Sequence, residues 1–314
     1  MNLPNESLIQ GNVPLCRYST FQIGGLAQFF SQPTQREQLV DLFEFQKKSG
    51  VPYVVMGRGS NVLFSDDGFP GLVISLQKFE ADKINFSPEG LVKVSAGFNL
   101  YRLSRLCQLQ GVSGLEFVCH IPGTVGGAVW MNAGFGRPDK PYTEIKDVLE
   151  SVTVLGKDGK IRILNRSDIN FTYRESNLHG YMILDATFRV KKSTTEKVLA
   201  DVQANFTYRN AVQDLRYPSA GSVFKNPNKK SKFSSGQLID KVGLKGYRIG
   251  GAMISEKHGN FIVNVGQAKA RDVLALIELV QNRVKEFFDV ELEPEVKIIV
   301  PNAEFKSIEV GALV

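Results

Sequence analysis

Apolar residues along this chain recur at two spacings: short unbroken runs between glycines, and three-to-four-residue repeats. The runs predict strands and the repeats predict helices. Residues 27–30 form a short apolar strand. Thr34-Gln35-Arg36-Glu37 then predicts a capping box opening a helix, with Leu39, Leu42 and Phe43 inward and Gly50 as its stop. A buried strand at 53–56 completes a strand–helix–strand unit and runs into Gly57-Arg58-Gly59-Ser60-Asn61.

Strands are predicted at 72–76 and 91–96. Asn99 caps a helix that buries Leu100, Leu103, Leu106 and Leu109 and stops at Gly111. A stretch holding Gly114, Gly123, Gly126, Gly127, Gly134 and Gly136 follows and predicts a loop between apolar segments. Strands at 148–155 and 160–164 flank Lys157-Asp158-Gly159, a hairpin turn. The hexapeptide FTYRES at 171–176 leads to a strand at 181–190, so 72–190 is a β-rich α+β region.

A polar helix at 194–213 connects to a third unit at 214–289. That unit holds SAGSVFKNP, a helix near 235–241, and a closing helix with Val273, Leu276, Ile277, Val280, Val284 and Phe287 on one face. In a last strand at 290–300, Val290, Leu292, Val296 and Ile298 alternate with Glu291, Glu293, Glu295 and Lys297, which places the carboxylates on one face. Pro294 marks an edge or a bulge.

A chain of 314 residues exceeds one ordinary core and implies two or three domains. Its net charge of +6 permits an anionic partner, but the basic residues are scattered and the aromatics are not interleaved with them. That pattern suits an enzyme handling nucleotides better than a nucleic-acid surface. Three widely spaced cysteines, Cys16, Cys107 and Cys119, argue against a disulfide framework and for a reducing compartment. Three histidines without an HExxH pattern predict no zinc site. The polar N-terminus and the lack of a long apolar run predict a cytoplasmic protein with no membrane span.

Four clusters compete for chemistry. The two glycine-rich segments, 57–61 and 123–127, read either as tight turns or as backbone nests for the two ends of a phosphorylated cofactor. The first lacks the glycine at position 62 that a dinucleotide fingerprint requires. Ser222, crowded by Ala220, Gly221, Phe224, Lys225 and Asn226, reads as a turn serine or as a proton donor beside anion-holding groups, and no nucleophile elbow surrounds it. Arg174 and Glu295 each read as a surface ion-pair partner or as a group that grips a reacting carboxylate. His258 reads as a half-buried core histidine or a ligand neighbour.

Taken in order, GRGSNVLFSDDGFPGLVI, GLEFVCHIPGTVGGAVWMNAGFG, FTYRES, PSAGSVFKNP, GQLIDKVGLKGYRIGGAMISEKHGNFIVN and LEPEVKII resemble the UDP-N-acetylenolpyruvoylglucosamine reductases, flavoenzymes of peptidoglycan precursor synthesis. The resemblance runs from about Tyr18 to Val300 and is to the shorter subtype. It implies an α+β chain with a two-lobed FAD-binding fold of the vanillyl-alcohol-oxidase (PCMH) type plus a C-terminal α+β substrate-binding domain. The implied divisions are 1–71 with the C-terminal segment 290–314, then 72–205, then 206–289.

It further implies an FAD-containing, NADPH-dependent oxidoreductase that reduces UDP-N-acetylglucosamine enolpyruvate to UDP-N-acetylmuramate, with no obligate protein partner. By position, Gly57, Gly59, Ser60, Asn61, Gly123, Thr124, Gly126, Gly127 and Asn132 fall where the family holds FAD. Arg174, Ser222 and Glu295 fall on its catalytic positions, and Lys225 and Asn226 lie near the substrate diphosphate. Against the family pattern, Gln22 replaces an arginine, Cys119-His120 replace small residues, and the run before Pro218 lacks a phosphate-binding lysine. Two other functions compete with this one: a sugar or phenol oxidase of the same superfamily, separated by NADPH consumption, and a basic nucleic-acid module, separated by a missing chromophore and steep salt dependence.

Overall fold

Parallel pairing organises the N-terminal part, because a helix crosses between its strands. The computed structural model describes residues 8–227 and 231–300, with the backbone of Ala312–Leu313. The first sheet has the order Gln10–Pro14, Leu26–Ser31, Phe69–Ser75, Tyr53–Met56, Ala312–Leu313, antiparallel only at its first pair. The crossover is helix α1 (Arg36–Ser49), which buries Leu39, Leu42 and Phe45 and ends at Gly50 with φ +67°.

Its cap lies one residue later than the sequence predicts. Gln38 Oε1 accepts from the backbone N–H of Thr34 at 2.7 Å and of Gln35 at 3.3 Å, so the box is Gln35/Gln38 rather than Thr34/Glu37. Phe43, expected inward, is half-buried and meets Tyr53 edge-on, while Phe45 takes the core position.

The second sheet is antiparallel, in the order Ile161–Asn165, Leu149–Gly156, Tyr181–Arg189, Leu91–Ser95, Ile84–Phe86. It shares one hydrophobic core with the first. The predicted hairpin turn is present, with Gly159 at φ +76°. Helix α2 (Leu100–Leu109) is capped by Asn99, whose Oδ1 accepts from the Arg102 N–H at 3.0 Å. It buries Leu100, Leu103 and Cys107, whereas Leu109 faces solvent.

The glycine-rich stretch is not all loop. Val125–Trp130 forms helix α3, every residue of it buried. A Cβ on Gly126 would stand 2.9 Å from the Ala96 Cβ, so glycine here permits a helix to lie against a strand end.

Helix α4 (Thr195–Val212) leads to a four-stranded antiparallel sheet, Ser219–Ser222, Phe261–Asn264, Ala252–Ile254, Arg248–Ile249. Helices α5 (Ser235–Lys241) and α6 (Ala270–Phe288) pack in a second core with that sheet. Val273, Leu276, Ile277, Val280 and Val284 of α6 are buried as predicted, but Phe287 is exposed. Phe21, Ile23 and Leu63 extend this core into the N-terminal region.

The predicted strand at 290–300 is shorter, spanning Lys297–Ile299 and pairing in parallel with Val62–Phe64. Residues 290–296 run irregularly along the segment after Ser222: the Glu295 N–H donates to the Val223 carbonyl at 2.7 Å, and the Lys225 N–H to that of Glu293 at 2.9 Å. The alternation therefore fails, leaving Glu291 and Glu293 exposed and Glu295 buried. Among the described residues, no helix is long and apolar enough to cross a membrane.

Candidate active site

Arg174 occupies a two-residue loop between the short strands Phe171–Thr172 and Glu175–Ser176. Its backbone is left-handed, φ +60°, a conformation that costs a non-glycine residue and persists only where its surroundings enforce it. Enforcement comes from Asn132, itself at φ +45° and fully buried. The Asn132 amide donates to the Thr172 carbonyl at 3.0 Å and accepts from the Lys146 N–H at 3.1 Å, which locks the hairpin against the segment after α3.

The guanidinium donates from Nε to Glu295 Oε1 at 2.9 Å and from Nη2 to the Gly134 carbonyl at 3.3 Å. It also lies 4.9 Å from the centre of the Tyr173 ring. Burial acts to lower the Arg174 pKa, but Glu295, Tyr142 and Tyr173 outweigh it, and the group is held above the ordinary arginine value. Glu295 is 9% exposed, and burial raises its pKa against the pull of Arg174. A fixed cation thus stands beside a carboxyl that protonates more readily than one in water. Glu144 completes the group: Oε1 lies 3.8 Å from Arg174 and has no hydrogen-bond partner among the described residues.

Ser222 ends a strand whose register against Phe261–Asn264 slips between Ser219 and Ser222. Gly221, at φ +74°, supplies the left-handed residue this slip needs. Ser222, Arg174 and Glu295 then line one cavity of about 300 Å³, with Ser60, Asn61 and His258 also in its wall. Asn61 Nδ2 donates to the Glu295 carbonyl at 3.2 Å, and so fixes the first glycine-rich segment to the catalytic candidate.

Both glycine segments meet behind this wall. A Cβ on Gly57 would come within 2.3 Å of Thr124 Oγ1, and Gly59 takes φ +66°. Thr124 Oγ1 is buried with no partner among the described residues. The backbone N–H groups of Arg58, Gly59, Ser60 and Asn61 donate to no carbonyl among those residues. Idle amides, an orphaned hydroxyl and Cβ-free approaches fit a phosphate-bearing cofactor such as FAD. Gly123 closes the same corner, since a Cβ there would touch Ser60 Oγ at 3.4 Å. Gly126 and Gly127 lie in the first turn of α3, where Gly126 packs against Ala96. The side chain of Asn132 bonds protein through both its nitrogen and its oxygen.

Lys225 and Asn226 line a neighbouring cavity of about 320 Å³, with Tyr173 and Thr172 of the Arg174 hairpin between the two. Lys225 Nζ pairs with Glu293 Oε1 at 2.5 Å, and Asn226 Oδ1 accepts from the Ser235 N–H at 3.0 Å.

Sequence reasoning missed Glu144, Tyr142, Tyr173, Lys297 and Arg209. Burial lowers the pKa of Lys297, whose ammonium lies 5.3 Å from the Trp130 ring centre. Arg209 lies in the main cavity wall on α4, bonded to the Gln213 side chain, its pKa brought down to about 10 by burial. It faces the cavity one turn before Val212, which also lines that wall. A Tyr-Arg pair in an otherwise polar helix was the signal available.

Residues 213–299 match the family profile described as UDP-N-acetylenolpyruvoylglucosamine reductase, C-terminal domain, and residues 27–165 match an FAD binding domain. A Bacillus cereus protein named UDP-N-acetylenolpyruvoylglucosamine reductase 1 is 42% identical over 295 residues, 92% of this chain and 93% of its own. The Bacillus anthracis protein of that name is 42% identical over 311 residues, 95% and 98% of the two chains. The crystal structure of UDP-N-acetylenolpyruvylglucosamine reductase from Thermus caldophilus superposes with a TM-score of 0.76 at 37% identity, covering 93% of this chain and 99% of that one.

Proposed function

The chain belongs to the UDP-N-acetylenolpyruvoylglucosamine reductase family, and we propose that Arg174, Ser222 and Glu295 perform its reaction here. That reaction is the NADPH-dependent reduction of UDP-N-acetylglucosamine enolpyruvate to UDP-N-acetylmuramate through FAD, for peptidoglycan precursors. The observation that carries the assignment is the single cavity shared by these three residues and the Ser60–Asn61 turn. Gly57, Gly59, Ser60, Asn61, Gly123 and Thr124 would hold FAD. When bound, FAD supplies the hydride taken from NADPH to the β-carbon of the enolpyruvyl ether.

Hydride addition leaves negative charge on Cα and the adjoining carboxylate. Arg174 binds that carboxylate and holds its plane by the guanidinium fork. Glu295 keeps the fork aimed through the 2.9 Å bond and, in its protonated form, donates to the developing enolate. Ser222 gives its hydroxyl proton to Cα. Its hydroxyl has no side-chain partner among the described residues and is free for this transfer. A serine is a weak acid, so it suits only a strongly basic carbon. Lys225 and Asn226 attract the diphosphate from the neighbouring cavity, and Lys225 exchanges Glu293 for it.

The same reading divides the chain into FAD-binding lobes, 1–71 with 290–314 and 72–205, and a substrate-binding domain, 206–289, in a cytoplasmic enzyme. The pairing of Lys297–Ile299 with Val62–Phe64 supports the return of the C-terminal segment to the first lobe. The test is single-turnover kinetics of Ser222→Ala. Flavin reduction by NADPH should persist, while reoxidation by the enolpyruvyl substrate slows about a thousandfold. Equal loss in both half-reactions would make Ser222 structural.

A further inference from the structure

Cys119 and His120 do not face the active site. They floor a second cavity, of about 460 Å³, between α2 and α4. Its size lies in the range of small-molecule sites. Ser104 and Gln108 of α2 and Leu199, Val202 and Phe206 of α4 form its walls.

Two polar atoms in this lining are idle. Ser104 Oγ and His120 Nε2 are both buried without a hydrogen-bond partner among the described residues, and Ser104 is only 1% exposed. Folded proteins seldom leave one such group unpaired, let alone two in one cavity. The His120 ring lies 4.5 Å from that of Phe206, so the two pack together as one aromatic wall of the cavity. Burial and the nearby Arg209 lower its pKa to about 4, so the imidazole is neutral near pH 7.

Among the described residues lining the cavity is one arginine, Arg105, which donates to Gln108 Oε1 at 2.9 Å and contacts no carboxylate among them. At the mouth, Tyr101 and Phe206 are 59% and 49% exposed, apolar area that a bound ring would cover.

We propose that this cavity is a ligand site separate from the reductase centre, and that it takes a small aromatic acid. The ring lies against the wall formed by Phe206 and His120 and the aliphatic side chains Leu199 and Val202 of α4. Its acid group pairs with Arg105, and a polar edge meets Ser104 Oγ and His120 Nε2. The opposite face of α4 carries Tyr208 and Arg209 into the active-site cavity, so one helix is the wall of both.

The experiment is calorimetric titration of the flavin-loaded enzyme with naphthoate, an aromatic carboxylate, with UDP-N-acetylmuramate saturating the active site. Saturable binding at one site per chain is expected. Arg105→Gln should weaken it about tenfold by removing a charge-assisted bond. Gln203→Trp, at an exposed position on the rim, should abolish it while NADPH oxidation stays at the wild-type rate. No saturable heat, competition by UDP-N-acetylmuramate, or binding indifferent to both substitutions would overturn the proposal.

Discussion

Two arginine–carboxylate pairs with buried carboxylates join distant parts of this molecule, and they are built differently. Arg36 on α1 reaches Asp185 in the second sheet at 2.7 Å, tying the crossover helix of one sheet to the other. Asp185 is fully engaged: the Thr153 hydroxyl donates to Oδ1 at 2.7 Å and Lys93 Nζ stands 3.4 Å from it. Arg174 and Glu295 meet at a similar 2.9 Å, but on a left-handed backbone, beside an idle Glu144 oxygen, and opening into a cavity. A pair that only stabilises spends its hydrogen bonds inside the protein. One that serves a ligand keeps some in reserve and tolerates strain to do so.

The comparison breaks most readily at Glu295. Glu295→Gln should slow reoxidation by the enolpyruvyl substrate about a hundredfold and leave reduction by NADPH nearly unchanged in stopped-flow traces. Normal turnover with lowered stability would instead class it with Asp185. The mirror experiment is Asp185→Ala, expected to cost about 2–3 kcal/mol in urea denaturation at unchanged slope, with kcat and KM near wild type.

A smaller difference lies in pH dependence. The folded pKa of Glu295 is raised above the ordinary carboxylate value of 4.5, so between those two values the folded state binds more protons than the unfolded one. Stability from this group therefore falls as pH rises through that window, and Glu295→Gln should flatten the slope. Least of all, Gly221→Ala meets open space but a φ of +74°, so strain alone should cost about 1 kcal/mol and turn Ser222 away. A variant of full activity would show that the register slip does not aim the serine.

Local chemistry made much of the fold legible. Asn99 caps α2, Gly50 stops α1, Gly159 turns the hairpin, and α6 buries the predicted stripe. Where packing overrides pattern, the reading failed. Val125–Trp130 is a fully buried helix despite two glycines, and at Gly126 the close approach of Ala96 leaves no room for a Cβ. Leu109 and Phe287 extend apolar repeats past the end of the surface that could cover them. The alternation at 290–298 predicted equivalent carboxylates, but irregular pairing with Val223 and Lys225 singles out Glu295. The residue types at the site were visible one by one. Their convergence came from the ordered motifs, because contacts between residues so far apart leave no periodic trace in a single chain.

The return of Lys297–Ile299 to Val62–Phe64 also fixes an order of events during translation. Both glycine segments, Arg174 and Ser222 leave the ribosome well before Glu295, and domains fold N-terminal first as synthesis proceeds. A nascent polypeptide thus carries the residues of its cofactor cradle before the segment that fixes Asn61 in place has been made. The segment that brings the proposed acid is thus also the one that pins the first glycine turn, so binding and chemistry are completed by a single late-emerging stretch of chain.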